Sequence, residues 1–354
     1  MQRTPLNPIS LMTQLSSSFL NIIEKAENLQ VLNRNELIEL LGYSEVSPEA
    51  DRIRSTANQV SRKRFQNRAM ILGQIGYEAA PCPGNCQFCA FAEDYTSLGT
   101  STITKESIVQ MASDFLANKS LFALFLMGMH DFKLEPLLDV ITALKPILRS
   151  DVRLVVNIGD FDRKQAEELK AAGVTGAYHI LRLGEGDVTA LDPAQRRQTI
   201  QTTCEAGLDW YYCCEPVGPE HTPEELVDQM LLGREFEAFQ HAAMRRVRLP
   251  GSPLLKHGII SEWRLAQITA VVALSTIGNK RLRSIAVHEP NTLGFCSGAN
   301  ACYAEAGANP RDLDEATQRN RGRSVSDCEQ LFLECGYKSA VNGNFEAVGL
   351  PELQ

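Results

Sequence analysis

From about residue 69 to residue 306, eight short apolar runs alternate with amphipathic runs, and this alternation is the strongest constraint on the fold. The apolar runs have the length and composition of buried strands, and the runs between most of them carry apolar residues at helical spacing. Parallel strands need crossover connections, so the alternation predicts a parallel sheet. The predicted strands cover residues 69–77, 121–128, 153–159, 176–183, 209–217, 242–249, 283–289 and 300–306.

Eight strands are the number found in a closed (β/α)8 TIM-type barrel, which is the fold that we predict for residues 69–340. A doubly wound open sheet is the alternative, and periodicity alone does not separate the two. Residues 1–68 are polar with helical spacing and are predicted to form an N-terminal helical cap, with residues 341–354 as a C-terminal tail. A barrel of this type carries its active site at the C-terminal ends of the strands.

Charge and hydropathy exclude several classes of function. The 354 residues carry a formal net charge of -8, and no long basic stripe is present to follow a phosphate backbone, so we expect no nucleic-acid partner. The basic cluster SRKRFQNR, residues 61–68, is interpreted as a solvated helix face. No apolar run approaches the roughly 18 residues that span a bilayer. The N-terminus also lacks an apolar signal core, so we expect no membrane partner and a cytoplasmic location.

Three of the ten cysteines, Cys82, Cys86 and Cys89, form a C-x3-C-x2-C pattern in the Pro/Gly-containing loop after the first predicted strand. In a reducing compartment, such clustering indicates metal or redox chemistry rather than cross-links. Structural zinc sites and ferredoxin-type clusters use four protein ligands, so either would need a distant fourth residue. Three thiolates on a [4Fe–4S] cluster would instead leave one iron open, and open coordination positions are where metal sites perform chemistry.

This spacing, its place after the first strand and the aromatic Phe88 before the last cysteine resemble the radical S-adenosylmethionine superfamily. The resemblance implies a [4Fe–4S] cluster held by Cys82, Cys86 and Cys89, with S-adenosylmethionine bound at the open iron. It further implies reductive cleavage to a 5′-deoxyadenosyl radical that abstracts hydrogen from substrate in a closed, dry site. The electron would come from a reducing partner such as flavodoxin or ferredoxin. A non-catalytic iron–sulfur or zinc protein is the alternative.

Other stretches resemble the branch that contains biotin synthase, the [FeFe]-hydrogenase maturase of similar architecture and methylornithine synthase. These stretches are LMGMHDF (126–132), YHILRLGE (178–185), CCEPVGPEHT (213–222), and RLPGSPL (248–254) with FCSGAN (295–300). By this resemblance, the residues expected at the S-adenosylmethionine site are Phe88, Met127, Gly128, Asn157, Arg182 and Glu185. The alternatives are purely structural roles. Met127 and Gly128 would then only end a buried strand, and Arg182 and Glu185 would form a salt bridge at the rim of the barrel.

The chain departs from biotin synthase at the second, sulfur-donating [2Fe–2S] cluster of that enzyme. Leu126 and Asn157 stand at the places of cluster cysteines, and His288 stands near the place of the cluster arginine. Only Cys213 or Cys214 remains as a thiol, and one thiol cannot hold that cluster. Sulfur insertion is therefore not expected, and a rearrangement or cofactor-maturation reaction is predicted.

Substrate contacts are predicted from charged residues near the strand ends, namely Glu215, Arg246, Arg248 and His288. Two arginines with a glutamate favour a small polar substrate that carries a carboxylate or phosphate, because guanidinium binds both in bidentate fashion. The alternative is an internal Glu–Arg pair. A peptide substrate ranks lower because no added recognition domain is evident.

Two further cysteines, Cys296 and Cys302, flank the sequence SGANA. They are candidates for an accessory cluster near the end of the barrel. The alternative is that they are small core residues.

Overall fold

In the computed structural model, which describes residues 15–95, 99–307 and 322–352, each of the eight apolar runs overlaps a parallel strand. The described strands are β1 (Arg68–Gly76), β2 (Glu78–Ala79), β3 (Ser101–Thr102), β4 (Leu121–Met127), β5 (Arg153–Asn157), β6 (Gly176–Tyr178), β7 (Asp209–Val217), β8 (Gln240–Arg245), β9 (Ser284–Val287), β10 (Ala301–Gly307), β11 (Ser339–Val341) and β12 (Ala347–Gly349). The described α-helices are α1 (Ser17–Glu27), α2 (Arg34–Gly42), α3 (Pro48–Arg64), α4 (Lys105–Leu116), α5 (Leu134–Leu144), α6 (Arg163–Ala171), α7 (Pro193–Glu205), α8 (Pro223–Glu235), α9 (Glu262–Ser275), α10 (Thr292–Phe295) and α11 (Val325–Glu334).

Eight of these strands close into a barrel in the order β1, β4, β5, β6, β7, β8, β9 and β10. The ring is completed by parallel pairing of β10 with β1, from Met70 opposite Ala301 to Gly76 opposite Gly307. An open sheet would leave two strands of this set without a neighbour on one side. The TIM-type barrel predicted from the sequence is therefore confirmed, and the doubly wound alternative is excluded.

Aromatic side chains fill the barrel interior. The ring of Phe125 packs edge-on against Tyr211 and Tyr303, with ring centroids 5.0 Å and 5.2 Å apart. Aliphatic side chains on the outer strand surface pack against the surrounding helices and form a second, larger apolar cluster. A barrel packed in this way has no continuous pore, and barrels of this type carry their active site at the C-terminal end.

A hairpin covers the N-terminal end of the barrel. Strand β11 runs parallel to the start of β1, β12 returns antiparallel to it, and Phe345 in the turn packs against Phe122 and Phe239. Most of this hairpin lies in residues 341–354, which were predicted to be a tail, because runs of three residues carry too little periodicity to predict a strand. The domain boundaries themselves stay a prediction.

The N-terminal helices pack outside the barrel, against α8 and α9. Their starts have local causes: Asn33 and Glu36 form a reciprocal capping box for α2, and the Ser47 side chain caps α3 ahead of Pro48. The buried Gln267 of α9 donates hydrogen bonds to two main-chain carbonyls of this N-terminal region. Within the described ranges, no helix combines the length and apolar character that crossing a membrane requires.

Candidate active site

A cleft of about 1100 Å3, including space that is open to solvent, lies at the C-terminal end of the barrel. Every barrel strand supplies a side chain to its wall within two residues of its C-terminal end, which is where barrels of this type carry their chemistry. In chain order, these side chains are Gln74, Met127, Asn157, Tyr178, Glu215, Met244, His288 and Glu305.

The three clustered cysteines line this cleft together. Their loop is held by main-chain hydrogen bonds, with the Cys82 amide donating to Phe91 at 2.7 Å and the Cys89 amide donating to Cys86 at 2.9 Å. The loop is also tied to the segment after β6, where the Ala190 amide donates to Gly84 at 2.8 Å. The backbone thus presents all three side chains to one space.

The surroundings of these thiols fit iron ligands. Burial raises the pKa of the Cys82 thiol, and it raises the pKa of Cys86 to about 12 despite the opposing charge of Arg182. Thiolates in such a place need a bound cation to be stable. Within the described ranges, no three His, Cys, Asp or Glu side chains are grouped closely enough to hold one metal ion. Three thiols that face one cleft fit the ligands of a multi-iron cluster.

Arg182 reaches the cleft because β6 is shorter than predicted. The carbonyl of His179 accepts a hydrogen bond from Trp210 Nε1 at 2.7 Å, and the carbonyl of Ile180 accepts two from the Arg196 guanidinium at 2.8 Å and 3.0 Å. Side chains thus replace the neighbouring strand as the partners of these carbonyls. The chain leaves the sheet there and carries Arg182 over the mouth of the barrel.

Arg182 lies between the cysteine loop and two carboxylates. Its Nε is 3.3 Å from Glu215 Oε1, and its guanidinium carbon is 5.8 Å from the centre of the Phe88 ring. Burial lowers the pKa of Arg182, but the Cys86 thiol and the carboxylates of Glu215 and Glu185 outweigh burial and raise it above its usual value. Arg182 therefore stays charged next to the thiols.

Glu185 does not line the cleft but lies behind Arg182. One carboxylate oxygen accepts the Arg182 amide at 2.9 Å, and the other accepts the Thr189 hydroxyl at 2.8 Å. The same carboxylate lies 3.8 Å from Arg196 Nε. Glu185 is thus placed to hold the turn that presents Arg182, rather than to touch a ligand itself.

A buried ionic group, which was not predicted from the sequence, supports this turn. Asp160 Oδ1 lies 3.0 Å from His179 Nε2 and 3.1 Å from Arg196 Nη1, and it accepts the Thr199 hydroxyl at 3.0 Å. Burial raises the pKa of Asp160, but hydrogen bonding from His179 and the charge of Arg196 hold it well below its usual range. Burial lowers the pKa of His179 to about 3, so the imidazole is neutral. Only the position of Asp160 just after a predicted strand signals this role.

The ends of β4 and β5 meet at the cleft, and Met127, Gly128 and Asn157 line its wall there. Gln74 donates from Nε2 to Met127 Sδ at 3.3 Å, and the Gly128 amide donates to the Asn157 carbonyl at 3.0 Å. A Cβ added to Gly128 would lie 2.3 Å from the Tyr77 hydroxyl. This close approach leaves room for glycine alone unless the Tyr77 side chain moves.

Gly159, which follows the end of β5, is also closely packed at this part of the cleft. A Cβ on Gly159 would lie 1.7 Å from the main-chain oxygen of His130, and both residues line the cleft. Because backbone cannot yield as a side chain can, we expect Gly159→Ala to lower the free energy of unfolding by about 3 kcal/mol. Urea unfolding monitored by circular dichroism measures this change. Gly42→Ala at the end of α2, where an added Cβ meets nothing within 4 Å, is the matched control. An equal urea midpoint for both variants would contradict the expectation.

Deeper in the cleft, Tyr178, Glu215, His288 and Tyr303 form a polar floor. The Tyr178 hydroxyl donates to Glu215 Oε2 at 2.9 Å and lies 3.5 Å from His288 Nε2. The His288 and Tyr303 rings stack with centroids 5.0 Å apart. Burial raises the pKa of both tyrosines well above the usual value, so each hydroxyl stays protonated. Of this floor, Tyr178 and Tyr303 were not predicted as site residues.

Arg246 and Arg248 are not brought into the cleft. Arg246 is 3% exposed, forms an ion pair with Glu220 through both its Nη atoms and donates to the Gly258 carbonyl at 2.9 Å. Arg248 is exposed on the surface. For Arg246, the internal Glu–Arg pair is therefore what the structure shows, with Glu220 rather than Glu215 as the partner. The two arginines on which a substrate carboxylate or phosphate was predicted therefore both lie outside the cleft.

The four remaining C-terminal cysteines lie in two separate pairs. Cys296 contacts Cys335, whereas Cys302 is fully buried against Cys328. The accessory-cluster hypothesis placed Cys296 and Cys302 at one site, and the structure does not bring those two together. Cys302 takes the role of a small core residue.

The first pair changes the acidity of the Cys296 thiol. The Cys335 thiol donates to Cys296 and lowers its pKa to about 6 with help from the Arg62 charge, whereas burial raises the pKa of Cys204 to about 11. At pH 7 we expect iodoacetamide to alkylate Cys296 at least tenfold faster than Cys204, because the thiolate is the nucleophile. Peptide mass spectrometry of the cluster-loaded protein measures both alkylation rates. The substitution Cys335→Ala should slow the alkylation of Cys296. Equal rates at the two residues would refute the assignment.

No protein-family model matches the chain. Biotin synthase of Sulfurihydrogenibium sp. is 23% identical over 286 residues, which cover 76% of this chain and 85% of that protein. Biotin synthase of Rhizobium rhizogenes is 24% identical over 265 residues, which cover 70% of this chain and 80% of that protein.

Two solved structures share the architecture. A maturase of the [FeFe]-hydrogenase superposes with a TM-score of 0.75 at 16% identity, over 92% of this chain and 76% of that one. Methylornithine synthase superposes with a TM-score of 0.74 at 17% identity, over 89% of this chain and 96% of that one. At such identities the superpositions establish the fold, and the chemistry has to be argued from the cleft.

Proposed function

We propose that this protein is a biotin synthase-like member of the radical S-adenosylmethionine superfamily, and that it is an enzyme that abstracts hydrogen from a small polar substrate. The cofactors are a [4Fe–4S] cluster and S-adenosylmethionine, which together supply a 5′-deoxyadenosyl radical when the cluster is reduced. The observation that carries the proposal is that Cys82, Cys86, Cys89 and Arg182 face one cleft at the C-terminal end of a closed barrel.

In this proposal, the three thiolates hold the cluster and Arg182 sets the charge beside it. The guanidinium lies next to Cys86 and Glu215, where it favours thiolate ligands and offers donors to a carboxylate. Met127 and Gly128 close the cofactor space from the end of β4, with the main-chain amide of Gly128 already bonded to Asn157. Glu185 and Asp160 keep Arg182 in place from behind the cleft.

The polar floor is the proposed substrate space. Tyr178 holds Glu215 through a hydrogen bond of 2.9 Å, which leaves the second carboxylate oxygen to Arg182. His288 is stacked on Tyr303 and is therefore fixed in orientation. These groups recognise a substrate by hydrogen bonds and exclude water by packing, as radical chemistry requires.

We further propose a rearrangement or cofactor-maturation reaction rather than sulfur insertion. Cys213 and Cys214 are both fully buried, and neither lines the cleft. Leu126 is also fully buried in β4, and Asn157 lines the cleft with an amide rather than a thiol. The cleft therefore offers thiols for one cluster in the described part of the chain, and dethiobiotin should not be converted to biotin.

The test is reductive cleavage of S-adenosylmethionine. Protein reconstituted anaerobically with iron and sulfide, then reduced with dithionite or flavodoxin, should release 5′-deoxyadenosine, which is measured by liquid chromatography with mass spectrometry. Deuterium transfer from a labelled candidate substrate into 5′-deoxyadenosine would identify the hydrogen that is removed. A protein that holds four irons yet shows no cleavage and no spectral response to S-adenosylmethionine would overturn the proposal.

A further inference from the structure

A second cleft, of about 1080 Å3 measured up to open solvent, lies at the opposite, N-terminal end of the barrel. It is bounded by the end of α3, the segment between α9 and β9, and the β11–β12 hairpin. Its aromatic walls are Phe65 and Phe345, and Met70 and Val341 lie at its base. The proposed chemistry, which takes place at the other end of the barrel, does not use it.

Four cations converge on this cleft, namely Arg64, Arg68, Lys280 and Arg283. No Asp or Glu is among its lining residues in the described part of the chain. Like charges that face one concave space repel each other unless an anion joins them. The effect is evident at Arg64, where burial and then the charge of Arg283 lower the pKa to about 10.

Two of these four cations, Arg64 and Arg283, have structural roles that account for their presence in the cleft. Arg64 donates to the carbonyls of Thr276, at 3.1 Å, and of Asn279, and so satisfies the C-terminal end of α9. Arg283 donates to the Lys280 carbonyl at 2.8 Å and stacks over Phe345 at 5.9 Å. Cations at helix ends and on rings are ordinary features of folded proteins.

The other two cations have no such role. The side chains of Arg68 and Lys280 make no hydrogen bond, ion pair or ring contact with any other residue of the described ranges. Arg68 is half-buried at the start of β1, so its charge is held at the cleft rather than free in solvent. The motif SRKRFQNR, interpreted above as a solvated face, thus divides: Lys63 is exposed, whereas Arg64 and Arg68 turn into the cleft.

We propose that this cleft binds a phosphate-bearing small molecule, with Arg68 and Lys280 as its principal ligands. Guanidinium and ammonium groups are the usual partners of phosphate oxygens, and Arg offers two parallel donors. The two phenyl rings supply apolar walls for the rest of the ligand. The phosphate is the shared chemistry of two sources, inorganic phosphate and a nucleotide.

Calorimetric titration of the reconstituted protein with inorganic phosphate and with AMP, at constant ionic strength, tests this proposal. We expect saturable binding, and we expect Arg68→Gln combined with Lys280→Gln to raise the dissociation constant at least tenfold. Neither side chain has a partner among the described residues, so thermal melting should stay unchanged. Lys63→Gln removes a nearby cation outside the cleft and is the matched control.

The outcomes are distinct. Tighter binding of AMP than of phosphate identifies a nucleotide as the ligand, and equal affinity identifies the phosphate group alone. Absence of saturable binding of either probe at millimolar concentration overturns the proposal, as does equal weakening by Lys63→Gln. Because the readout is binding at the far end of the barrel, it is independent of S-adenosylmethionine cleavage.

Discussion

Replacement of Cys82, Cys86 and Cys89 together by alanine should abolish the iron–sulfur absorbance and S-adenosylmethionine cleavage at the same time. All three thiols line one cleft, and a cluster that loses its protein ligands is not retained. The measurements are iron content, visible absorbance near the charge-transfer bands of the cluster, and 5′-deoxyadenosine release after anaerobic reconstitution. This is the largest effect that we expect from any substitution in the chain.

The control for this experiment is Cys296→Ala, which removes an exposed thiol outside the cleft. It should keep both the absorbance and the cleavage activity of the unaltered protein. A triple variant that still binds a full complement of iron would show that other residues hold the metal. The non-catalytic alternative would then regain support, and the proposed function would fail.

Arg182→Ala should reduce S-adenosylmethionine cleavage by about 100-fold or more, because a charged donor beside the cluster is lost. It also leaves the Glu215 and Glu185 carboxylates without their shared cation, and such a loss from a buried pair costs about 3–5 kcal/mol of stability. Arg182→Lys keeps the charge but not the planar fork, so it should restore stability more than it restores activity. The measurements are cleavage rate, affinity for S-adenosylmethionine and thermal melting.

The matched control is Arg197→Ala, which removes an exposed arginine of α7 whose partner is Glu235. Surface pairs contribute little, so cleavage and melting should remain close to those of the unaltered protein. Cleavage by Arg182→Ala at the rate of the unaltered protein, with normal iron content, would show that Arg182 acts only in the fold. Iron content is measured in every variant, which separates loss of the cluster from loss of the cofactor contact.

The barrel was predictable because its signal is local and repeated. Strand-like and helical runs alternate over short distances, and burial of their apolar faces leaves few arrangements. The strand ends were less predictable: β6 stops after three residues because Trp210 and Arg196, both distant in sequence, bond to the next carbonyls. A periodicity in one segment cannot report such partners.

The residues of the candidate site were likewise predictable only in part. Ten of the thirteen residues singled out from the sequence line the cleft, and the three that do not are Glu185, Arg246 and Arg248. Glu185 is drawn behind Arg182 by Thr189 and Arg196, and Arg246 is held by Glu220, which lies 26 residues away in the chain. A strand-end position predicts that a side chain is near the cleft, but its ion-pair partner decides which way it points.

By itself, the sequence determined the cysteine triad, its loop and the barrel that carries them, because each depends on spacing between near neighbours. The tertiary structure decided which charges meet. It brought Asp160 and His179 together behind the turn that carries Arg182. It also paired Arg246 with Glu220 outside the first cleft, and it directed Arg68 into a second cleft at the other end of the barrel. Charged side chains in a buried setting must find partners, and those partners come from wherever folding brings them.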